Sequence, residues 1–343
     1  MKLRDKMWLW GHPEGRYNHE YGNEKESRMT PMEGCLYLGV RNTFMVPVGV
    51  DVNRRQYNKS FTTLRNVGWE CFGMHKNPEI LDTAIAEAKD FPNISCVVFD
   101  DFKSLDKEGN PRYKSIPLEM LKAANDKLHN NDIRRLDSWM VLYTFQFGLD
   151  EKEDAEFQPY MDEFDGVIMW TWCESDVPLI PEKFEFFKKY TPNTRRMFGC
   201  YLWNFGEHKE ATGEAVKWQL DFYLEKIKAG EAEGIVAALG ANLLGLKPCI
   251  EVKDGKMSVV KKYRGKYAQV LASYVKDRLD SREDIIRDEL FLTYTTVTDE
   301  CLAAVQWAID QYGNFNHVYE TQAGCTVSCH CGPDTLGVLF VRK

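Results

Sequence analysis

The alternation of strand-like and helix-like segments constrains the fold of this chain more than any other feature. Apolar runs typical of buried strands recur through the first 236 residues, and amphipathic segments with helical spacing separate most of them. The eight runs begin at Met7, Thr43, Asn66, Ile94, Ser138, Gly166, Arg196 and Gly234. Eight strands that alternate with helices over about 240 residues predict an α/β protein with a TIM-like (β/α)8 barrel.

The pattern changes beyond residue 236. Asp254-Gly255 is a strong hairpin signal, and a helical pattern over residues 266–279 precedes further short strands. We therefore expect two domains, residues 1–236 as the barrel and residues 237–343 as an α+β segment. A barrel that is incomplete at strand and helix eight is part of this expectation as an alternative to full closure. A doubly wound open sheet is the alternative, but no glycine-rich dinucleotide turn follows the first strand.

Composition excludes several classes of function. The net charge of −8 and the absence of a Lys/Arg block argue against a protein that binds nucleic acid by neutralising phosphates. No apolar run reaches the ~18 residues of a membrane span, and the first residues lack the apolar core of a signal peptide. We expect a cytoplasmic protein with reduced cysteines that binds a small molecule, and we expect no nucleic-acid partner, metal or cofactor. The oligomeric state stays open.

Two adjacent carboxylates end the most apolar strand. Asp100 and Asp101 follow the run Ile94–Phe99, and the carboxyl ends of parallel strands form the edge where barrels and open sheets bind their ligands. The alternative is structural, with one Asp capping the next turn and the other solvated. A metal site with His12 and Glu14 is a further alternative, although no ligand motif with fixed spacing accompanies these residues. A serine hydrolase is disfavoured because the Gly-x-Ser-x-Gly motif is absent.

Aromatic and acidic residues follow several other predicted strands. If the strands stay extended, Trp170, Trp172 and Glu174 point the same way, as do Tyr201 and Trp203. Aromatic rings stack on sugar faces, and paired carboxylates are the usual means of glycosidic bond cleavage. We predict catalytic roles for Asp100 or Asp101 with Glu174, and Glu14 and Asp176 are alternative partners. The predicted substrate-binding residues are His12, Glu14, Tyr143, Trp170, Trp172, Tyr201, Trp203 and Asn204. At any single position, a tryptophan or tyrosine in the core is the competing interpretation.

Residues 1–236 resemble a poorly characterised bacterial family of glycoside-hydrolase-like TIM barrels. The matching motifs are Trp10-Gly11-His12, Ser27-Arg28-Met29-Thr30-Pro31, Asp100-Asp101-Phe102, Tyr143-Thr144, Trp170-Thr171-Trp172 and Gly199-Cys200-Tyr201-Leu202-Trp203. The resemblance implies a barrel. It departs from the common retaining pattern of barrel glycosidases, because the seventh strand is followed by Asn204 and an acid comes only at Glu207.

Residues from about 237 onward resemble the C-terminal half of DegV-type fatty-acid-binding proteins. The matching motifs are Leu244-Gly245-Leu246-Lys247-Pro248, Asp254-Gly255-Lys256, Tyr263-Arg264-Gly265-Lys266 and His330-Cys331-Gly332-Pro333-Asp334-Thr335-Leu336-Gly337. The resemblance implies that Arg264 and His330 lie near a lipid carboxylate, and a buried carboxylate needs such a partner. The structural alternatives are a solvated hairpin arginine and a turn histidine. The spacing of Cys325, Cys329, His330 and Cys331 matches no standard zinc motif.

Three functional hypotheses follow. The first is a carbohydrate-active barrel, a possible hydrolase that uses strand-end carboxylates. The second is a DegV-type fatty-acid binder built on the C-terminal segment. The third is an inactive fusion of two truncated domains, motivated by the doubtful eighth strand and by the absence of the N-terminal DegV half.

Overall fold

The chain divides into two compact units, Met1–Leu243 and Leu244–Lys343. The computed structural model describes residues 3–24, 26–105, 110–238, 246–253, 256–324, 327–328, 331 and 334–343. Within these ranges, none of the helices is both long enough and apolar enough to cross a membrane. The predicted domain boundary between residues 236 and 237 lies close to this division and stays a prediction.

The first unit is an α/β barrel, which confirms the predicted alternation of strands and helices. Its eight parallel strands close in the order β1-β2-β3-β4-β5-β6-β7-β10. The strands are β1 (Met7–Gly11), β2 (Asn42–Met45), β3 (Asn66–Glu70), β4 (Ile94–Phe99), β5 (Asp137–Tyr143), β6 (Gly166–Trp170), β7 (Arg195–Tyr201) and β10 (Gly234–Ala238). A short antiparallel ribbon follows β7 and consists of β8 (Trp203–Asn204) and β9 (Lys209–Glu210).

The eighth barrel strand is present, so the expectation of a barrel that is incomplete at strand eight is wrong. β10 pairs with β1, where Met7 lies opposite Ile235, and with β7, where Met197 lies opposite Gly234. All five residues of β10 are buried. A short run of small and β-branched residues is sufficient here because ladder hydrogen bonds on both sides satisfy its backbone.

Helices surround the barrel strands. They are α1 (Pro31–Leu38), α2 (Arg54–Ser60), α3 (Glu79–Asp90), α4 (Leu118–His129), α5 (Glu151–Met161), α6 (Ile180–Tyr190) and α7 (Gly213–Lys228). In the described part of this unit, 3-10 turns lie at Leu3–Asp5, Phe61–Thr63, Phe72–His75, Arg112–Ser115 and Glu174–Leu179.

The start of α1 shows how local sequence sets a helix boundary. Thr30 accepts a hydrogen bond from the Glu33 backbone N–H, and the Glu33 carboxylate accepts from the Thr30 N–H, which forms a capping box. Gly39 ends the helix at φ 69°, a left-handed conformation that favours glycine. The sequence patterns missed α2 and α5, because both helices are strongly polar and have weak apolar periodicity.

Aromatic side chains fill the inside of the barrel. Trp139 and Trp170 are almost fully buried there, in a cluster with Trp8, Trp10 and Phe44. Glycines on the neighbouring strands make room for the large rings. A Cβ added at Gly199 would lie 1.9 Å from the Trp170 ring, and one added at Gly166 would lie 2.3 Å from Trp139. A second buried cluster lies between the strands and the helices and holds mainly aliphatic and phenylalanine side chains.

The elements with defined bounds in the second unit are a hairpin, helices and a three-stranded sheet. Its elements are β11 (Leu246–Lys253), β12 (Lys256–Arg264), α8 (Tyr267–Leu279), β13 (Ile285–Tyr294), α9 (Asp299–Tyr312), β14 (His317–Gln322) and β15 (Leu336–Arg342). β13 is the central strand of the sheet, parallel to β14 and antiparallel to β15. The core is mostly aliphatic and packs α8 and α9 on this sheet through residues such as Leu271, Val305 and Leu292.

Candidate functional site

A pocket of about 520 Å³ lies at the carboxyl ends of the barrel strands. Its walls come from residues at the ends of β1, β4, β5 and β7 and from the loops that follow the strands. The lining is Trp10, His12, Arg16, Tyr17, Tyr21, Val48, Asp100, Asp101, Lys103, Ser104, Leu105, Tyr143, Phe145, Gln146, Leu149, Asp150, Glu153, Asp154, Trp172, Tyr201 and Phe205. This is the edge at which parallel barrels bind ligands.

Asp100 and Asp101 lie side by side in the pocket wall, directly after β4. The Asp101 backbone N–H donates to Asp100 Oδ1 over 2.9 Å. Asp101 has φ 53°, so the chain turns sharply after the strand, and aspartate tolerates this left-handed conformation better than most residues. The turn ends the alternation of side-chain directions along β4. Both carboxyl groups therefore belong to the same pocket lining.

Burial dominates the electrostatics of this carboxyl pair. It raises the pKa of Asp100 well above its usual range, and the charges of Asp101 and Glu70 raise it further. Burial also raises the pKa of Asp101. Arg112 lowers both pKa values by charge attraction, but this attraction does not offset the loss of water. Asp100 is therefore suited to keep a proton where an ordinary aspartate is ionised.

Two tyrosines extend the polar side of the pocket from the carboxyl pair. Tyr143 ends β5, and interaction with its side chain lowers the pKa of Asp101. The hydroxyl groups of Tyr143 and Tyr201 lie 3.4 Å apart. Burial raises the pKa of both hydroxyls well above the ordinary value, so both stay protonated near neutral pH. Neutral hydroxyl groups here can donate to and accept from a ligand.

His12 is a neutral hydrogen-bonding group in this pocket. Its Nδ1 lies 2.8 Å from the Val46 carbonyl oxygen. Burial lowers the pKa of His12 to about 4, and the Arg16 charge lowers it as well. Because a carbonyl only accepts, Nδ1 carries the proton and Nε2 is the acceptor in the neutral ring. The Tyr17 ring packs edge-on against His12 at 4.8 Å.

Lys103 and Arg16, the basic residues in the described part of the lining, are paired with acids. Lys103 is 4% exposed, and its Nζ lies 3.4 Å from Asp154 Oδ1 and 3.5 Å from Glu153 Oε1. Arg16 pairs with Glu20 at 2.6 Å, and its guanidinium lies 4.4 Å from the centre of the Tyr17 ring.

Aromatic rings form much of the remaining wall. Trp172 stacks on Phe205 with ring centres 5.7 Å apart, and Tyr143 stacks on Phe145 at 5.3 Å. Tyr21 packs edge-on against Trp172 at 6.0 Å. The rings come from separate loops and support one another, which holds the wall in place.

Backbone strain is concentrated in the same lining. Tyr17, Tyr21, Val48 and Asp101 all have positive φ, between 50° and 67°. A β-branched residue such as Val48 is rare in this region of conformational space. Strained backbone of this kind clusters at binding and catalytic sites, where the surrounding packing maintains it.

The structure brings six of the predicted site residues together in the pocket. They are His12, Asp100, Asp101, Tyr143, Trp172 and Tyr201. Their functional roles stay predictions. Sequence reasoning did not select Arg16, Tyr17, Tyr21, Lys103 or Phe205, because they lie in loops or turns without a strand or motif signal. A weak signal was present, since residues 12–23 contain two tyrosines, two histidines and an arginine directly after the first strand.

Glu174 does not line the pocket. Its carboxylate accepts hydrogen bonds from the backbone N–H and the hydroxyl of Thr212, at 2.7 and 2.9 Å. The Trp170 and Trp172 rings both pack against Tyr201, so the expected shared direction fails only for Glu174, where a 3-10 turn begins after the end of β6. Alternation of side chains holds only within a strand. Trp170 instead fills the barrel interior and is 1% exposed.

Three other predicted binding residues also lie outside the lining. Glu14 accepts from the Tyr57 hydroxyl at 2.5 Å. Trp203 donates from Nε1 to the Tyr21 carbonyl at 3.0 Å, which braces the loop that carries Tyr21. The expected common direction of Tyr201 and Trp203 is not maintained, because Leu202 separates β7 from the β8 ribbon. Asn204 accepts from the Glu174 and Glu207 backbone N–H groups.

The predicted lipid-binding residues cannot be placed in a site. Arg264 ends β12, and the structure describes its backbone only, while His330 lies outside the described residues. Cys325 and Cys329 of the discounted zinc group also lie outside them. Elsewhere in the described chain, no three His, Cys, Asp or Glu side chains form a group that could hold a metal ion.

Comparison with known families assigns the C-terminal part of the chain. A family model described as "uncharacterised protein, DegV family" matches residues 227–343. Residues 227–343 are a DegV-family region. This confirms the DegV resemblance. The match starts inside α7 and includes β10, so the DegV-family region overlaps the barrel unit.

Two curated relatives match over comparable lengths. A DegV domain-containing protein of Clostridium acetobutylicum is 35% identical over 120 residues, which are 34% of this chain and 40% of that protein. Another, of Caldanaerobacter subterraneus, is 26% identical over 126 residues, 36% of this chain and 42% of that protein. The chain thus spans about two fifths of the length of these relatives.

Solved structures give weaker matches. A DegV lipid-binding protein of Thermotoga maritima matches 56% of this chain and 76% of its own, with 14% identity and a TM-score of 0.26. A DegV family protein of Eubacterium eligens, loaded with heptadecanoic acid, matches 55% of this chain and 78% of its own, with 13% identity and a TM-score of 0.27. The glycoside-hydrolase resemblance of residues 1–236 and the fusion hypothesis gain no support from these comparisons.

Proposed function

We propose that the protein binds a fatty acid through its DegV-family region. The observation that carries this proposal is the family match over residues 227–343. Proteins of that family include ones described as lipid-binding and as loaded with heptadecanoic acid. The second hypothesis from the sequence, DegV-type fatty-acid binding, is therefore better supported than the first.

Arg264 and His330 are the candidate partners of the fatty-acid carboxylate. Both come from the DegV resemblance, and both residue types can donate hydrogen bonds to a carboxylate. A charged donor and a carboxylate form a bond roughly twice as strong as a neutral one. Arg264 stands at the end of β12, and a fixed strand end is suited to position such a side chain.

Mass spectrometry of the purified full-length protein tests fatty-acid binding. We expect an acyl chain to co-purify, and we expect the delipidated protein to take up heptadecanoic acid. Arg264→Ala should weaken this uptake about tenfold or more, because a charge-assisted bond is lost. Arg342→Ala is the matched control, since Arg342 is an exposed arginine in the same unit, 3.9 Å from Asp284. The absence of both a co-purifying chain and uptake would refute the proposal.

The barrel pocket supports a second candidate, acid–base chemistry on a carbohydrate. The specific observation is the pairing of Asp100 and Asp101 with aromatic rings in a single pocket. In this role Asp100 holds the proton that is donated to a leaving oxygen, and Asp101 is the carboxylate that acts as base or nucleophile. Trp172 offers a face on which a sugar ring can stack. Glu174 has no place in this mechanism, because its carboxylate bonds Thr212.

A glycan panel tests the second candidate. Asp100→Asn and Asp101→Asn keep the side-chain shape, and at least one of them should abolish turnover of a glycan that the wild type cleaves. Asp221→Asn is the control, because Asp221 is an exposed acid on α7 that pairs with Lys217. If neither variant loses turnover, the strand-end acids have no part in the mechanism.

A further inference from the structure

Among the residues of the barrel pocket that the structure describes, acids outnumber bases, and these bases are already paired. Lys103 is held by Asp154 and Glu153, and Arg16 is held by Glu20. Asp150 caps α5 by accepting the Lys152 and Glu153 backbone N–H groups. Asp100 and Asp101 are the remaining acids of the lining, and neither forms an ion pair with a basic residue of the lining. The pocket wall therefore holds two carboxyl groups whose ionised forms a bound cation would stabilise.

The aromatic rings around these acids favour the same kind of ligand. Trp172, Tyr21, Tyr143 and Tyr201 all line the pocket. Trp172 and Tyr201 pack at right angles with ring centres 5.7 Å apart, so their faces point in different directions. An ammonium group is attracted to ring faces, most strongly when water is excluded. Rings in several orientations beside two carboxyl groups are the recurring composition of sites for organic ammonium ions.

One side of the lining is apolar and faces solvent. Leu105, Phe145 and Leu149 belong to the pocket, yet they are 61%, 50% and 74% exposed. They follow β4 and β5, the strands that carry Asp101 and Tyr143. Exposed apolar side chains grouped at a pocket are a mark of ligand binding rather than of folding. A ligand that reaches the acids can cover these side chains with an apolar body.

We propose that the barrel pocket binds an organic cation with an ammonium head beside Asp100 and Asp101 and an apolar body against Leu105, Phe145 and Leu149. This concerns the same pocket as the carbohydrate candidate and is independent of fatty-acid binding. It does not require turnover. A free fatty acid is the wrong charge for this pocket, because its carboxylate would oppose ionisation of Asp100 and Asp101, whereas an ammonium group favours it.

Binding of the cation is coupled to the ionisation of the carboxyl pair. The charged and titratable groups that act on the pair are Glu70, Arg112, Tyr17, Tyr143 and Tyr201. Burial raises the pKa of both acids, and an ammonium ion beside them lowers it again. Amine binding should therefore release protons and should strengthen as the pH rises through the raised pKa values.

Three probes with the same body test the proposal: 4-phenylbutylamine, 4-phenylbutanol and 4-phenylbutyrate. Calorimetry on the full-length protein at pH 7.5, in two buffers of different ionisation enthalpy, measures affinity and proton release together. We expect the amine to bind about tenfold more tightly than the alcohol. Binding of the carboxylate at this pocket should be undetectable. Equal affinities of amine and alcohol, or no binding of the amine, would overturn the proposal.

Variants assign the binding to the pocket. Asp101→Asn and Asp100→Asn should each reduce the advantage of the amine over the alcohol. Trp172→Leu should weaken amine binding while the carboxyl pair stays intact, and Asp221→Asn should change nothing. Amine binding that none of the pocket variants affects would contradict the proposed site. Carboxylate binding that responds to Arg264→Ala but not to Asp101→Asn reports on the DegV-family region, so the two proposals fail separately.

Discussion

The barrel unit and the DegV-family region were recognised by opposite kinds of information. The barrel has a pocket whose walls and electrostatics are defined, yet the family resemblance of residues 1–236 gains no support from the comparisons. The DegV-family region matches a family along its whole length, but the two residues that the resemblance implies have no described side-chain position. A family match therefore indicates which part of a chain to examine for a function. Only the arrangement of side chains in a site indicates which atoms could perform it.

The cores of the two units also differ in the side chains that fill them. The inside of the barrel depends on large rings that fit against glycines of neighbouring strands, such as Trp170 against Gly199. The second unit packs helices on a sheet mainly through aliphatic side chains, for example Leu292 and Val305. Because each core lies within its own unit, we expect damage to one core to be felt first in that unit. The following predictions test this independence.

The largest effect is expected from Trp170→Ala. Removing a fully buried ring should destabilise the barrel by about 3–5 kcal/mol through lost burial and a residual cavity. Denaturant titration followed by tryptophan fluorescence measures this, since eight of the nine tryptophans lie in the barrel unit. Trp218→Ala is the control, because Trp218 is 40% exposed on α7. An equal loss in both variants would contradict the importance of the barrel interior.

In the second unit, Leu292→Ala is the core substitution that corresponds to Trp170→Ala in the barrel. Leu292 is 1% exposed in the central strand β13, and its truncation should cost roughly 3 kcal/mol. Hydrogen-exchange mass spectrometry on the full chain should show faster exchange in β13, α8 and α9, with the barrel strands unchanged. Leu339→Ala is the control, because Leu339 is 56% exposed on β15. Faster hydrogen exchange in both units would contradict their independence and indicate one cooperative structure.

A smaller, pH-dependent effect is expected from Asp100→Asn. Folding raises the pKa of this carboxyl, so its protonated form is favoured by folding and the ionised form is penalised. The stabilising contribution is complete at acid pH and is lost as the pH rises through the raised pKa. Asparagine carries no charge and still accepts the Asp101 N–H. The variant should therefore be more stable than the wild type at pH 8, by on the order of 1–2 kcal/mol.

Thermal melts of wild type and Asp100→Asn between pH 4 and pH 8 measure this difference. The advantage of the variant should shrink towards zero at pH 4, where the wild-type carboxyl is protonated. Asp221→Asn controls for general effects of a lost charge. A constant difference across the pH range would show that ionisation of Asp100 is not the cause.

The smallest effect is expected at the helix caps, where the two units should behave alike. Thr30 caps α1 in the barrel and Thr298 caps α9 in the second unit, each through its side-chain oxygen. Replacing either with alanine should cost about 1 kcal/mol. Exchange rates near each helix start should rise only in the altered unit, and serine at each position should restore most of the loss.

Much of the fold was predictable because it depends on local periodicity. The apolar runs and the Thr30–Glu33 capping pattern identified strands and a helix start from neighbouring residues alone. The polar helices α2 and α5 were missed because only tertiary packing stabilises such segments. The closure at β10 was misjudged, since a short strand shows its role only through partners far away in the sequence.

By itself the sequence determined that acids and aromatic residues gather at one edge of a parallel sheet and that the C-terminal part is DegV-like. Only the tertiary structure decided which of those residues share a pocket. It turned Glu174 towards Thr212, placed Trp170 inside the barrel and brought Tyr17 and Tyr21 from a loop into the pocket that also holds the carboxyl pair. The physical reason is that strand periodicity sets side-chain direction only within a strand, whereas side chains beyond its end follow the long-range packing of the loops.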